Sequence, residues 1–196
     1  MWNVARQLTA MMLALWLGTG SALPARAQAP GQRGGSFELV DQHGQRFASA
    51  ALAGKPYAIF FGFTHCPDVC PTTLLGMSNN LASLGTGGDR LKVVFVTVDP
   101  DRDTPEKLRQ YLASFDPRII ALTGKAEEIA AAAKGWGVFY DKVPEDDGGY
   151  TMAHSAYVYL MDGDNHKVDT LGFQEPEDQQ LAKLRRLIAP PDKGRK

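Results

Sequence analysis

The fold is decided by Tyr57-Ala-Ile-Phe-Phe-Gly-Phe63 and by the segment that follows it directly, Thr64-His65-Cys66-Pro67-Asp68-Val69-Cys70-Pro71. The first stretch is an almost continuous apolar and aromatic run, which predicts a strand covered on both faces. Pro71 suits the first position of a helix, which we expect to run from Thr72 to Leu84. The two cysteines therefore fall between a strand and a helix, at the carboxyl edge where parallel sheets place their sites.

The same order of elements repeats along the chain. Leu91-Lys-Val-Val-Phe-Val-Thr-Val98 predicts a second buried strand, and Thr104-Pro105-Glu106 predicts a capped helix that ends near Phe115. The right-handed crossover rule makes the two strands parallel neighbours. The remaining predicted elements are a helix from Lys125 to Lys134, strands from Ser155 to Met161 and from His166 to Thr170 around the turn Asp162-Gly163-Asp164-Asn165, and a closing helix from Glu177 to Leu187.

This order of strands and helices is that of the thioredoxin fold with one extra helix. We therefore predict an α/β protein: a single thioredoxin-like domain with a central mixed β-sheet flanked by helices. The chain has 196 residues, of which 44% are hydrophobic and 22% charged, and this balance is typical of one globular domain. Its formal net charge of −1 gives no basic surface for nucleic acid.

The N-terminus has the pattern of a secretory signal peptide. Arg6 precedes an apolar stretch from Leu8 to Leu17, and Ala25-Arg26-Ala27 matches a small-residue cleavage site. We expect cleavage after Ala27 and export, to the periplasm or an equivalent compartment. The alternative is an uncleaved segment that tethers the domain to the inner membrane, although its apolar core is shorter than the roughly 20 residues that span a bilayer.

Composition gives the remaining boundaries. Removing residues 1–27 takes away two arginines and no acids, which leaves 19 basic and 22 acidic residues and a formal net charge of −3. Residues 28–35 are rich in Gly, Pro and Gln and predict a flexible linker. We place the thioredoxin-like domain at residues 36–190 and a solvated basic tail at residues 191–196.

Cys66 and Cys70 are the only cysteines and lie four residues apart. A structural disulfide is a poor interpretation, because so short a loop restrains little of the unfolded chain. We predict instead a reactive or metal-binding pair, with Cys70 just before the helix, where the helix dipole favours the thiolate. Thioredoxin-class oxidoreductases have two residues between their cysteines rather than three. A peroxidase of this fold would need threonine at the position of Phe63.

Two thiolates suit copper(I), and an added imidazole extends such a site to copper(II), although zinc accepts the same ligands. His154 is the candidate imidazole. It lies at the start of a predicted central strand, in the neighbourhood where thioredoxins present a cis-proline that is absent here. The other candidates have simpler interpretations: packing or hydrogen bonding for His65, packing for Met152, and surface turns for His43 and His166. We expect Asp68 to be a solvated loop acid and Asp99 to belong to a helix-capping loop, with a weak ligand or an outer acceptor as the alternative for each.

Three segments together resemble the Sco/SenC family of copper chaperones. They are Gly62-Phe-Thr-His-Cys-Pro-Asp-Val-Cys-Pro-Thr-Thr73, Val96-Thr-Val-Asp-Pro-Asp-Arg-Asp-Thr-Pro105, and His154-Ser-Ala156 with Tyr159-Leu160. The resemblance covers about residues 36 to 189. It implies a thioredoxin-like fold and one copper ion held by Cys66, Cys70 and His154.

The resemblance also implies a role in maturing the dinuclear copper centre of cytochrome c oxidase. The expected partner is the copper-accepting subunit of that oxidase, with a thioredoxin-like reductant or another copper chaperone as further candidates. Ala153 departs from the family pattern, in which an acid often precedes the histidine. The family is usually anchored by an N-terminal helix, whereas the apolar segment here is short.

Three functions remain open at this point. The first is a metallochaperone that turns over no small molecule, and the second is a thiol:disulfide reductase for the oxidase's copper-ligating cysteines. The third is a redox or copper sensor. All three need Cys66 and Cys70, but only copper binding needs His154.

Overall fold

The computed structural model describes residues 32–146 and 148–190. The predicted signal peptide and the basic tail lie outside these residues. Within the described ranges, no helix combines the length and the apolar character needed to cross a membrane.

The elements, in chain order, are β1 (Glu38–Asp41), β2 (Arg46–Ala48), β3 (Tyr57–Gly62), α1 (Val69–Ser83), β4 (Lys92–Thr97), α2 (Pro105–Leu112), β5 (Ile119–Thr123), α3 (Ala126–Trp136), β6 (Tyr140–Pro144), β7 (Tyr150–His154), β8 (Val158–Met161), β9 (Lys167–Leu171) and α4 (Glu177–Ile188).

Seven of these strands form one mixed sheet in the order β2-β1-β5-β4-β3-β8-β9. The central strands β3, β4 and β5 are parallel, and the strands outside them pair antiparallel. The register of β3 and β4 ends with Gly62 opposite Thr97. The predicted mixed sheet and its two parallel central strands are therefore confirmed.

Helices cover both faces of this sheet. In β3, Tyr57, Ile59 and Phe61 face the core that α3 closes, while Ala58 and Phe60 face the core under α1, α2 and α4. All six residues of β3 are buried. Because both faces of β3 are buried, its sequence is a continuous apolar run.

Most predicted elements are present with shifted ends. α1 begins at Val69, two residues before Pro71, and the predicted cap of α2 is confirmed because the Lys107 N–H donates to Thr104 Oγ1 at 3.2 Å. Strands β1, β2, β5, β6 and β7 are not among the predicted elements, because they are short or lack an apolar period. His154 was expected at the start of a central strand, whereas it ends β7, and the segment from Ser155 to Tyr157 separates it from β8.

Residues 32–35, the described part of the predicted linker, lie against the domain. Gly34 N–H donates to the Asn165 carbonyl at 3.0 Å, and Trp136 Nε1–H donates to the Gly35 carbonyl at 3.1 Å. A β-carbon at Gly35 would lie 2.8 Å from the backbone of Gly135. These glycines allow close packing against α3, which sequence composition does not distinguish from flexibility.

Two adjacent leucines of α1 test which face of the helix is buried. Leu74 is fully buried, while Leu75 is 54% exposed. We expect Leu74→Ala to lower the free energy of unfolding by about 2–5 kcal/mol, because it leaves a cavity in the core. Leu75→Ala should change it by less than about 0.5 kcal/mol. Urea denaturation of the reduced protein measures both, and equal effects would contradict this orientation of α1.

Candidate metal centre

Three side chains from separate parts of the chain meet at the carboxyl edge of the sheet. Cys66 comes from the loop after β3, Cys70 from the first turn of α1, and His154 from the end of β7. Their metal-ligating atoms all lie within 4.8 Å of one another, with 3.7 Å between Cys70 Sγ and His154 Nε2. The structure therefore brings together the three residues that the sequence singled out.

The two cysteines differ in position and in exposure. Both are free thiols, but Cys70 is only 1% exposed and Cys66 is half-buried. The backbone N–H of Cys70 donates to the Cys66 sulfur at 3.4 Å. Because α1 starts two residues earlier than predicted, Cys66 rather than Cys70 lies at its N-terminal end. The helix therefore favours the thiolate at Cys66.

Hydrogen bonding separates the pKa values of the two thiols. The Cys66 sulfur accepts from the thiol and the backbone N–H of Cys70, which lowers the pKa of Cys66 well below its ordinary value. Donation to Cys66, together with burial, raises the pKa of the Cys70 thiol. Of the two thiols, Cys66 is therefore the one that loses its proton more readily.

The orientation of His154 leaves a lone pair for a ligand. Its Nδ1 lies 3.0 Å from the Ser155 carbonyl oxygen, which can only accept, so Nδ1 carries the proton in the neutral ring. Nε2 is then free to coordinate and faces the Cys70 sulfur. The edge of the imidazole also packs against Phe63, with ring centroids 5.8 Å apart and an interplanar angle of 89°. Fixing the second nitrogen in this way is common for metal-binding histidines.

Gly62 makes room for the buried sulfur. A β-carbon at this position would lie 2.6 Å from Cys70 Sγ and 2.9 Å from Phe95 Cε2. Phe95 is fully buried in β4 and cannot move without disturbing the core. Cys70 can therefore sit this deep only because the last residue of β3 is glycine.

Comparison with known proteins decides the family. The model of the SCO1/SenC family matches residues 25–189. The chain belongs to the SCO1/SenC family. Among curated relatives, a SCO2-like protein of Rickettsia prowazekii is 44% identical over 131 residues, which cover 66% of this chain and 64% of that protein. The mitochondrial SCO1 homolog 1 of Arabidopsis thaliana is 38% identical over 148 residues, which cover 70% of this chain and 44% of the relative. This chain thus spans less than two thirds of the length of these relatives.

Solved structures of the family have the same fold. Bradyrhizobium japonicum ScoI with copper bound gives a TM-score of 0.74 at 44% identity and covers 79% of this chain and 99% of its own. Yeast Sco1 with copper bound also gives 0.74, at 36% identity, and covers 82% and 91% respectively. The predicted thioredoxin-like architecture is therefore confirmed for this member of the SCO1/SenC family.

The two candidate acids lie outside the sulfur and imidazole cluster. Asp68 is exposed and accepts a hydrogen bond from the Thr72 hydroxyl at 3.3 Å. Asp99 is fully buried, where it pairs with Arg102 and accepts from the Tyr150 hydroxyl at 2.9 Å. Asp68 thus acts within the first turn of α1. Asp99 anchors the strand that carries His154, a more specific role than the helix-capping loop expected from sequence.

In the described residues, the candidate metal-binding group consists of Cys66, Cys70 and His154, and the other candidates lie outside it. His65 is exposed, with Nδ1 3.2 Å from Thr64 Oγ1, and Met152 is buried in the core as expected. Ala153, where the resemblance leads us to expect an acid, pairs with Asp141 across the β6–β7 hairpin. An acidic residue therefore stands on the neighbouring strand.

Sequence reasoning assigned no role to Asp103. This residue is fully buried and accepts hydrogen bonds from the Thr64 N–H at 3.0 Å, the Thr64 hydroxyl at 2.6 Å and the Thr97 hydroxyl at 2.6 Å. It ties the start of the cysteine loop to the end of β4. The only signal in the sequence was a cluster of charges immediately after a buried strand.

We predict that Gly62→Ala displaces the Cys70 sulfur. Overpacking of this kind should lower the free energy of unfolding by about 1–3 kcal/mol. The matched control is Gly76→Ala in α1, where a β-carbon would meet nothing within 4 Å. The control should stabilise the helix by about 0.5–1 kcal/mol. Urea denaturation of both variants checks this, and an unchanged Gly62→Ala protein would contradict the close contact.

We also predict that iodoacetamide distinguishes the two cysteines of the reduced, metal-free protein. Because the pKa of Cys66 is lowered, its thiolate persists as the pH falls from 9 to 6, and its alkylation rate should stay nearly constant. An ordinary thiol would slow by about tenfold for each pH unit below its pKa of about 8.5. Peptide mass spectrometry assigns the modified residue. Rapid alkylation of Cys70 at pH 6 would reverse the assignment.

Proposed function

We propose that this protein binds one copper ion through Cys66, Cys70 and His154 and delivers it to the dinuclear copper centre of cytochrome c oxidase. The observation that carries the proposal is the convergence of two sulfurs and one unprotonated imidazole nitrogen within 4.8 Å. Cys66 remains accessible at this site while Cys70 is buried. One ligand is thus open to an incoming partner, as transfer of a metal requires.

The ligand chemistry favours copper. Thiolates are soft ligands that suit copper(I), and the imidazole extends the same site to copper(II). The copper-bound structures of Bradyrhizobium japonicum ScoI and yeast Sco1, at 44% and 36% identity, support this choice. Zinc also accepts two thiolates and an imidazole, so the test must include it.

Other features support a proposal for the protein that receives the copper and for the compartment in which this domain works. The family resemblance supports the copper-accepting subunit of cytochrome c oxidase as the recipient. The N-terminal pattern around Arg6 and the site at Ala25 to Ala27 supports export, with a membrane tether if cleavage does not occur. We propose that the domain works outside the cytoplasm, facing the copper-binding part of the oxidase.

A second candidate is a thiol:disulfide reductase that keeps the oxidase's copper-ligating cysteines reduced. The accessible Cys66, with its lowered pKa, supports this candidate, because attack on a disulfide requires a thiolate. The neighbouring Cys70 would resolve the mixed disulfide. This chemistry has no need of His154, and that difference separates the two functions.

Anaerobic copper titration of the reduced protein tests the proposal. We expect one copper per chain and, for copper(II), a visible thiolate-to-copper charge-transfer band. His154→Ala should lose or shift this band yet retain copper(I), since two thiolates suffice for that ion. Cys66→Ser and Cys70→Ser should each lose copper. An excess of zinc should not displace copper(I).

The matched control is His166→Ala, a histidine in the turn between β8 and β9 whose Nδ1 lies 3.7 Å from Asp162 Oδ2. It should leave the titration unchanged. The loaded protein is then mixed with the isolated metal-free copper-accepting domain of the oxidase, and copper should appear in that domain after separation. Failure to retain copper, combined with reduction of the oxidised domain by wild type and His154→Ala alike, would leave the reductase function instead.

A further inference from the structure

His154 is supplied by an element outside the main sheet. Within residues 32–146 and 148–190, strands β6 and β7 pair with each other alone, in a separate two-stranded sheet, and His154 is the last residue of β7. An isolated two-stranded hairpin is marginally stable in water. The position of His154 relative to the cysteines therefore depends on how the β6–β7 hairpin is fastened to the rest of the domain.

Arg102 contacts this hairpin through a hydrogen bond and a cation–π interaction. Its Nη1 donates to the Tyr150 carbonyl at 2.9 Å, and its guanidinium lies 3.8 Å from the centroid of the Tyr150 ring. Its Nε pairs with Asp99, which also accepts from the Tyr150 hydroxyl at 2.9 Å. Asp99, Arg102 and Tyr150 thus form a closed set of contacts, here called the Arg102 clamp.

The Arg102 clamp also contacts the main sheet. The Asp99 N–H donates to Thr97 Oγ1 at 2.9 Å, and Thr97 ends β4. The Arg102 guanidinium also lies 5.9 Å from the ring of Phe63, and that ring packs against His154. Contacts therefore run from the central sheet through Arg102 to both ends of β7.

The other contacts between the hairpin and the rest of the domain constrain its orientation less. Met152 is buried in the core and supplies apolar contact, which does not fix register or angle. Lys142 pairs with Asp101 at 2.6 Å, but both side chains are more than half exposed. Exposed ion pairs of this kind contribute little to structure.

We propose that Arg102 is a positioning residue. By holding Tyr150 beside Asp99 and lying over the Phe63 ring, it keeps the β6–β7 hairpin where His154 Nε2 faces the two sulfurs before any metal arrives. The inference rests on the proposed function only in using copper as the probe. Copper(II) needs the imidazole, whereas copper(I) is retained by two thiolates. Loss of the clamp should therefore weaken copper(II) binding selectively.

Two variants test the clamp from opposite sides. Arg102→Lys keeps a cation beside Asp99 but cannot pair, donate to the Tyr150 carbonyl and stack at the same time. Tyr150→Leu removes the ring and the hydroxyl while Arg102 and Asp99 stay paired. The matched control is Arg109→Lys on α2, an exposed arginine paired with Glu106. Both test variants should bind copper(II) about 10- to 100-fold more weakly, with copper(I) affinity nearly unchanged.

A double-mutant comparison identifies the route of the effect. Combined with His154→Ala, the Arg102→Lys substitution should cause no further loss of copper(II) binding, because Arg102 acts through the histidine. Equal loss of both copper ions, or an undiminished effect in the His154→Ala protein, would reduce Arg102 to a general contributor to stability.

A measurement without metal completes the test. Hydrogen exchange of the reduced, metal-free protein should be faster for peptides covering residues 139–155 in both test variants and unchanged in Arg109→Lys. Unchanged exchange across the hairpin would overturn the proposal. If the wild type failed to bind copper, the proposed function would fail, and the exchange comparison would still decide whether Arg102 fastens the hairpin.

Discussion

The parallel pairing of β3 with β4 is the constraint on which the site depends. Because this pairing sets Gly62 opposite Thr97, the two loops that follow leave the same edge of the sheet side by side. Asp103 in the second loop then accepts hydrogen bonds from Thr64 in the first and from Thr97. A buried carboxyl surrounded by such donors stays only if each is in place. The cysteine loop is consequently held by the neighbouring strand rather than by its own residues.

That arrangement makes the two sulfurs chemically different. Cys70 lies over Gly62 in the core, while Cys66 stays partly exposed at the start of α1, where backbone N–H groups stabilise its thiolate. Both proposed functions use this asymmetry. An exposed thiolate can exchange its metal with an incoming ligand or attack a disulfide, and a buried partner limits unwanted oxidation. The function that acts in the cell therefore depends on whether His154 takes part.

The ligand residues of the site could be predicted from the sequence better than the strands and contacts that hold them in place. Cys66 and Cys70 follow from their spacing after a buried strand, and His154 follows from its place where a proline was expected. The helix start was predicted two residues late, which moved the favoured thiolate to the wrong cysteine. Strand β6 has no apolar pattern because its residues after the first are exposed. The contact between Arg102 and Tyr150 joins residues 48 positions apart, and no local pattern encodes it.

The separation of the ligands between two structural units has a further consequence. The sulfurs belong to the packed domain, where displacement of Cys70 would disturb a dense core. His154 belongs to a two-stranded hairpin that is held by polar contacts at Arg102, by an exposed ion pair between Lys142 and Asp101, and by apolar packing of Met152, Tyr140 and Tyr150. Such an element can shift at a lower free-energy cost than a central strand. Under the proposed function, the imidazole is therefore the ligand that can be withdrawn without unfolding, which leaves copper on two thiolates, the coordination from which a partner's cysteines can take it.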